Sequence, residues 1–260
     1  MIFRRRLVNK RVLTLSLTLV LILLSNTVRS DLLALFYEYE DSEKSLFKVV
    51  SETIPRVGLE TITFELTTDP KADLKLDNLK RYDMVLFGSH AVAGWGDYYL
   101  VGVENDLIQY VEGGGLVLVN TNDDAFFKGS MFPAELLMAE VNDHDLIVTP
   151  KGRVVGIFDR PNKIKTIYED DAYKEVKPPW VVLARSRGKG TKGVSHTLQL
   201  KHGLGEYIVT PAKGLSVGQA EDNQPFMRNI INYFGFRANQ IRAVTASGKL
   251  SIHWGDIKKR

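Results

Sequence analysis

A serine and a histidine stand side by side at Ser89 and His90, directly after Gly88. A serine hydroxyl with an imidazole as its base is the pair that many acyl-transfer enzymes use for nucleophilic attack. Adjacent side chains of an extended chain point to opposite faces, so a hydrogen bond between these two would require a turn. No G-x-S-x-G elbow surrounds Ser89. The pair is therefore either catalytic or part of a pocket lining.

A cluster of oxygen-bearing side chains occupies positions 120–124, which read NTNDD. Hard cations favour clustered oxygens, and Asn120, Asn122 and Asp123 could equally bind a polar ligand. The spacing differs from that of the EF-hand calcium loop. These residue types also favour turns and helix caps, so a structural role stays open. Thr121 would need an adjacent base to act as a nucleophile, and the local sequence offers none.

An aromatic segment at 93–99, AGWGDYY, places Trp95 and Tyr98 among flexible glycines. Aromatic rings in such a loop can stack on a sugar or another flat ligand. The alternative is a loop whose aromatic residues anchor it to the body of the protein. This segment is the best binding candidate in the sequence.

An acidic cluster is formed by Glu38, Glu40, Asp41 and Glu43. Paired carboxylates could serve glycoside chemistry, whereas acidic side chains at a helix start are stabilised by the helix dipole.

The stretch RSRGKGTKG at 185–193 lacks the phosphate-binding G-x-x-x-x-G-K-[ST] spacing. The histidines show no metal-ligand spacing, and we expect neither a metal nor a cofactor.

Alternating strands and helices are predicted for the first half of the chain. Apolar runs predict strands at 32–39, 59–66, 82–89 and 116–121; helical spacing predicts helices at 41–58 and 103–115. This order favours a parallel sheet flanked by helices, whose working surface lies at the carboxyl ends of the strands. The predicted site at that edge consists of Glu38, Ser89, His90, Trp95, Tyr98, Asn120, Asn122 and Asp123.

The second half is predicted to be rich in β-hairpins. After a helix at 133–140, strands are expected in HDLIVTP, RVVGIFD, WVVLARSRG, VSHTLQLKHG and GEYIVTP. An amphipathic helix at 225–236 follows, with Pro225 in its first turn and Gly235 at its end. Residues 237–260 are predicted to form a C-terminal hairpin that turns at Ser247 and Gly248.

Five stretches of the sequence occur in an order that is familiar from a known family: YDMVLFG (82–88), DLIQYVEGGGLVLVNT (106–121), WVVLARSRGKG (180–190), HGLGEYIVTPAKG (202–214) and FMRNIINYF (226–234). Over residues 31–236 the chain resembles the class I glutamine amidotransferase-like superfamily. Within it, the chain is most similar to the trehalose-utilisation (ThuA-like) branch and related exported domains. The resemblance implies a flavodoxin-like α/β fold, here with extra β-hairpins in the C-terminal half.

The resemblance also implies where catalysis would occur. Enzymes of the superfamily carry a cysteine on a sharp turn after a central strand, assisted by a histidine and an acidic residue. This chain has no cysteine, so glutamine hydrolysis by that route is impossible. ThuA-like proteins often place a histidine at the end of the strand that follows the glycines, where this chain reads Val119-Asn120-Thr121-Asn122.

Residues 1–30 have the layout of a secretory signal peptide, with a basic start, an apolar run from Val12 to Leu24 and small or neutral residues before Asp31. An uncleaved N-terminal anchor is the alternative. This leader holds six of the 34 basic residues and none of the 31 acidic ones, so its removal changes the formal net charge from +3 to −3. The remaining chain offers no bulk charge for nucleic-acid binding.

We therefore expect an exported, periplasmic or extracellular protein that contacts the membrane only through an uncleaved leader. The leading hypothesis is a non-catalytic domain that binds a small molecule, a carbohydrate or a protein partner. The rival is a hydrolase acting on a carbohydrate or ester through His90 with Ser89 or Asp123. A third hypothesis is a structural envelope protein whose C-terminal hairpin pairs with a partner strand.

Overall fold

The computed structural model describes most of the chain after the leader. It covers residues 31–37, 50–51, 56–57, 60–67, 69–88, 91–92, 100–121, 130–143, 146–167, 169–186, 194–212 and 220–257. Within these ranges only the backbone is described at 140–143, 169–170, 220–222 and 246–257.

The strands are β1 (Leu32–Tyr37), β2 (Arg56–Val57), β3 (Glu60–Leu66), β4 (Met84–Phe87), β5 (Leu116–Asn120), β6 (Leu137–Asp143), β7 (Ile147–Val148), β8 (Glu169–Lys174), β9 (Val181–Arg185), β10 (Ser195–His202) and β11 (Gly205–Thr210). The helices are α1 (Pro70–Asp73), α2 (Leu76–Leu79), α3 (Glu104–Glu112), α4 (Pro150–Val155) and α5 (Ala220–Ile257). Most of the predicted helix at 41–58 lies outside the described residues.

Parallel strands in the order β3-β1-β4-β5-β11 form one half of the main sheet. This is the flavodoxin-like order 2-1-3-4-5, which confirms the predicted fold class. The side chains of β4, β5 and β11 are buried on both faces, as expected for parallel strands covered by helices. The uninterrupted apolar runs in the sequence follow from this double burial.

Two apolar layers enclose the sheet. On one face, α3 packs Leu107, Tyr110 and Val111 against the odd-numbered side chains of β5. On the other face, α5 packs Ile230 and Phe234 in the layer that contains the even-numbered side chains of β5. Burying one such large apolar side chain contributes about 1.5–3 kcal/mol to folding.

The other half of the sheet is antiparallel. β10 pairs with β11, β9 and β8, and β6 forms the far edge beside β8. The predicted strands in WVVLARSRG, VSHTLQLKHG and GEYIVTP are confirmed as β9, β10 and β11.

Two predictions for this half were wrong, and one strand was not predicted. The second half of the predicted helix at 133–140 instead belongs to the strand β6, which pairs with β8. Leu136 and Met138, two positions apart, are both buried, as in an extended chain. The predicted strand RVVGIFD overlaps α4, which Thr149 caps and Gly156 ends in the left-handed conformation. The polar run EDDAYK, for which no element was predicted, forms β8.

The predicted C-terminal hairpin was also wrong, because α5 continues past the predicted boundary at 236 as far as Ile257. The helix begins at Ala220, so Pro225 lies inside it rather than in its first turn. A glycine within a helix costs about 1 kcal/mol relative to alanine. Packing of Ala238 and Ile241 offsets the cost of Gly235. The structural hypothesis that relied on a hairpin loses its basis.

The turn between β10 and β11 lies against the end of α3. A Cβ added at Gly205 would lie 2.1 Å from the carbonyl oxygen of Gly115 and 2.4 Å from that of Val111. We expect Gly205→Ala to lower the free energy of unfolding by about 2 kcal/mol, because two backbone segments would have to move apart. Gly113→Ala is the control, since its nearest contacts would be 3.4 Å and longer. Urea unfolding of both variants measures this, and equal stabilities would contradict the packing described.

Candidate functional site

The carboxyl edge of the parallel sheet is the first candidate site. We use this name for the edge where β1, β4, β5 and β11 end, at Tyr37, Phe87, Asn120 and Thr210. The chain passes from β1 to β3 on one side and later to β4 on the other, which makes the β1–β4 border the topological switch point. Open α/β sheets bind ligands in the crevice at such a point.

The structure describes one of the eight residues predicted for this site. Asn120 lies within the described part of the chain; Glu38, Ser89, His90, Trp95, Tyr98, Asn122 and Asp123 lie outside it. The backbone N–H of Gly88 donates to the carbonyl oxygen of Tyr37 at 2.8 Å. The residues that precede Ser89 and Glu38 are therefore paired with each other at the switch point.

Asn120 has a structural contact at the end of β5. Its side chain is fully buried, and Nδ2 donates to the carbonyl oxygen of Ala212 at 3.1 Å. This bond ties the end of β5 to the chain that leaves β11. Its predicted role in ligand binding stays a prediction.

Thr121 occupies the turn where a nucleophile would be expected from the resemblance. It is fully buried, and its hydroxyl shares a 2.6 Å hydrogen bond with the hydroxyl of Tyr173. A phenol has an ordinary pKa of about 10 and is a poor base at neutral pH. The described geometry therefore gives Thr121 no group that would activate it.

A second group of buried polar side chains lies beside this pair, on β10 and β11. Nδ1 of His196 lies 2.6 Å from Oγ1 of Thr197, which is 3.4 Å from Oγ1 of Thr210. All three side chains are fully buried. Sequence reasoning missed this group, although a histidine and two threonines on two consecutive predicted strands were a signal that could have revealed it.

Aromatic packing fixes the segment that leads into β6. The ring of Phe132 makes edge contacts with Trp180 and Tyr207, at centroid distances of 5.1 and 5.2 Å. The hydroxyl of Tyr207 donates to the carbonyl oxygen of Met131 at 3.1 Å. Burial raises the pKa of Tyr207 above its ordinary value, which keeps it a hydrogen-bond donor. The described segment that begins at Ser130 is thus firmly held.

A small pocket of about 250 Å³ lies between residues 134–137 and 174–178, on the carboxyl side of β8. One of its residues, Glu175, has a φ of 52°. This left-handed conformation is uncommon for a residue with a side chain. No sequence pattern indicated this pocket.

A larger pocket of about 490 Å³ lies at the opposite edge, where the parallel strands begin. It is lined by the ends of α2 and α3 and by the part of α5 beyond Gly235. The sequence pattern did not predict this pocket, because it predicted a hairpin rather than a helix over residues 237–260. We name it the amino-edge pocket.

Other sequence candidates are only partly described. The acidic cluster at 38–43 and residues 187–193 of the glycine-rich stretch lie outside the described residues. Among the residues that the structure describes, no three acidic or histidine side chains are grouped as a metal site would require. None of the helices in those same ranges has the length and apolar character needed to cross a membrane.

The sequence matches no protein-family profile and no curated protein. Among solved structures, the fold is similar to a ThuA-like protein from Bacteroides uniformis, with a TM-score of 0.51 and 13% identity over 80% of this chain and 92% of that one. This similarity supports a ThuA-like fold and shows the fold alone.

Two glycosidases are less similar in structure. A β-galactosidase from Rahnella sp. R3 has a TM-score of 0.48 and 10% identity, covering 78% of this chain and 30% of that one. An exo-β-1,4-mannosidase from Opitutaceae bacterium strain TAV5 has a TM-score of 0.45 and 8% identity, covering 86% and 38%. The chain thus spans about a third of each enzyme, and these similarities carry no functional argument.

Proposed function

We propose that this chain is an exported, non-catalytic domain of the amidotransferase-like type that binds a small molecule, a carbohydrate or a protein partner at its carboxyl edge. The proposed ligand-binding residues are those predicted from the sequence: Glu38, Ser89, His90, Trp95, Tyr98, Asn120, Asn122 and Asp123.

One observation carries the proposal. At the turn after β5, the buried hydroxyl of Thr121 is hydrogen-bonded to Tyr173, and the amide of Asn120 holds the backbone at Ala212. Both groups serve the fold at the place where the related enzymes need a reactive side chain. The chain has no cysteine to replace them.

The topology supports the proposed location. The border between β1 and β4 is the point where an open α/β sheet offers a crevice. Five predicted residues fall in the segments that follow these two strands in the sequence: Glu38, Ser89, His90, Trp95 and Tyr98. Export is proposed from the leader alone, and an N-terminal anchor would leave the binding function unchanged.

A thermal-shift screen of the chain from Asp31 against sugars, nucleotides and divalent cations tests the proposal. A ligand that binds only the native state stabilises it by about 2.7 kcal/mol at 100 times its dissociation constant. For any compound that binds, we expect Trp95→Ala to weaken affinity without lowering the melting temperature of the free protein.

Turnover assays on glycosides and esters separate binding from hydrolysis. We expect no activity, and His90→Ala then changes affinity only. Hydrolysis that His90→Ala abolishes would overturn the non-catalytic proposal in favour of the hydrolase. If no compound shifts the melting temperature, co-purification with an envelope protein becomes the remaining test, and finding neither ligand nor partner would refute a binding role.

A further inference from the structure

The amino-edge pocket has an apolar floor and a polar rim. Leu76 of α2 lines one side, Ala238 and Ile241 of α5 line the other, and the buried ring of Tyr110 lies between them. Its volume of about 490 Å³ is within the range of small-molecule sites, which are mostly apolar with a few polar groups. Glu112 and Arg242 are among its charged lining residues.

The end of α3 keeps the pocket open and close to α5. Gly114 has a φ of 116°, and a Cβ there would lie 2.8 Å from Cγ2 of Ile241. Without side chains at this turn, the last turn of α3 and the wall formed by α5 approach each other closely. The polar end of α3 therefore borders the pocket directly.

The cations that line the pocket already have anionic partners. Arg242 donates to both carboxylate oxygens of Asp83, at 2.9 and 2.6 Å, and the backbone N–H of Leu33 also donates to Asp83 at 2.9 Å. Nζ of Lys80 lies 3.1 Å from Oδ1 of Asp77. Arg242 is therefore neutralised within the pocket, whereas Lys80 and Asp77 form an exposed surface pair at its rim.

Glu112 differs from these groups. Among the described residues, its carboxylate has neither an ion-pair partner nor a hydrogen-bond donor. It belongs to the last turn of α3, which contains no basic residue. A helix C-terminus carries a partial negative charge, so an acidic residue there is unfavourable and a cation is favoured. The carbonyl oxygens of residues 109–112 already accept backbone N–H groups. The exposed carboxylate of Glu112 is therefore the negative group that this helix end offers to a positive ligand.

We propose that the amino-edge pocket binds a small organic cation, a primary amine on an apolar body. The ammonium group lies at Glu112 and the C-terminus of α3, and the apolar body lies against Leu76, Ala238 and Ile241. The site is on the opposite edge of the sheet from the proposed carboxyl-edge site and does not depend on it.

An NMR titration of the chain from Asp31 with phenethylamine, which is protonated at neutral pH, tests this. The uncharged probe of the same shape is 2-phenylethanol. We expect the amine to shift the amide resonances of Gly113, Gly114 and Gly115 and to bind at least fivefold more tightly than the alcohol. We also expect added NaCl to reduce this preference.

Glu112→Gln should reduce the affinity for the amine to that of the alcohol without lowering the melting temperature, because the substitution removes a charge that the helix end disfavours. Glu135→Gln is the matched control, an exposed glutamate outside this pocket. Equal affinities for amine and alcohol, unchanged amine affinity in Glu112→Gln, or shifts confined to other residues would each overturn the proposal.

Discussion

A chain that ends at Phe236 is expected to lose more than about 4 kcal/mol of its free energy of unfolding relative to the chain from Asp31 to Arg260. The missing residues supply Arg237, which pairs with the fully buried Glu206 at 3.1 Å, and Ile241, which packs in the core layer. They also supply Arg242, the partner of Asp83. Since domains are stable by about 5–15 kcal/mol, this truncation should leave the protein close to unfolding at room temperature.

A second truncation, after Thr245, is the control. It keeps all the α5 contacts named above, and we expect it to retain most of the stability of the longer chain. Urea unfolding followed by circular dichroism compares the three proteins. If the two truncations were equally stable, the continuation of α5 would not contribute as the structure indicates, and residues 237–260 would behave as an independent appendage.

Replacing Arg237 alone is expected to cost about 3 kcal/mol, because it leaves a buried carboxylate without its cationic partner. The side chain of Glu206 is 0% exposed and that of Arg237 is 25% exposed. Glu206 would keep uncharged partners, namely Nε2 of Gln199 at 2.7 Å and the hydroxyl of Tyr233. Arg237→Met keeps an unbranched apolar stem similar to that of arginine, so the loss reflects chiefly the missing guanidinium group.

The double variant Glu206→Gln/Arg237→Met tests this explanation. It removes both charges, so we expect it to be more stable than Arg237→Met alone. The coupling from a double-mutant cycle in urea isolates the pair from other effects. Additive losses would show that the charges do not interact and that Arg237 acts through packing alone.

The parallel half of the sheet could be predicted because its strands are buried on both faces. The apolar runs that became β1, β4 and β5 leave little alternative at their lengths. Apolar periodicity does not specify which strand lies beside which. The order of the strands was therefore predicted from the resemblance to a known family.

The failures have two physical causes: tertiary contacts overrode the local pattern at β8, and local capping signals decided the structure at α4. The strand β8 contains Asp171, which is buried although its type predicts a loop. Val154 and Val155 favoured a strand, yet Thr149 and Pro150 at the start and Gly156 at the end define a short helix. These cap residues were present in the sequence and should have prevailed over the β-branched pair.

The polar contacts at the carboxyl edge could not have been predicted from sequence. Thr121 and Tyr173 are 52 positions apart, and Asn120 and Ala212 are 92 apart. No local pattern links such residues, because only the assembled sheet brings them together. The candidate residues of the predicted site that lie outside the described ranges stay predictions.

The contacts of α5 also bear on the order in which the chain can fold. Arg242 bonds to Asp83, 159 positions earlier, and Asn239 bonds to Glu60, 179 positions earlier. Contacts between such distant positions form slowly, and the residues of α5 are synthesised long after their partners. The first half of the chain therefore cannot complete its amino edge until α5 has emerged. For a chain that is exported as we propose, this delay would favour an open state until translocation is complete.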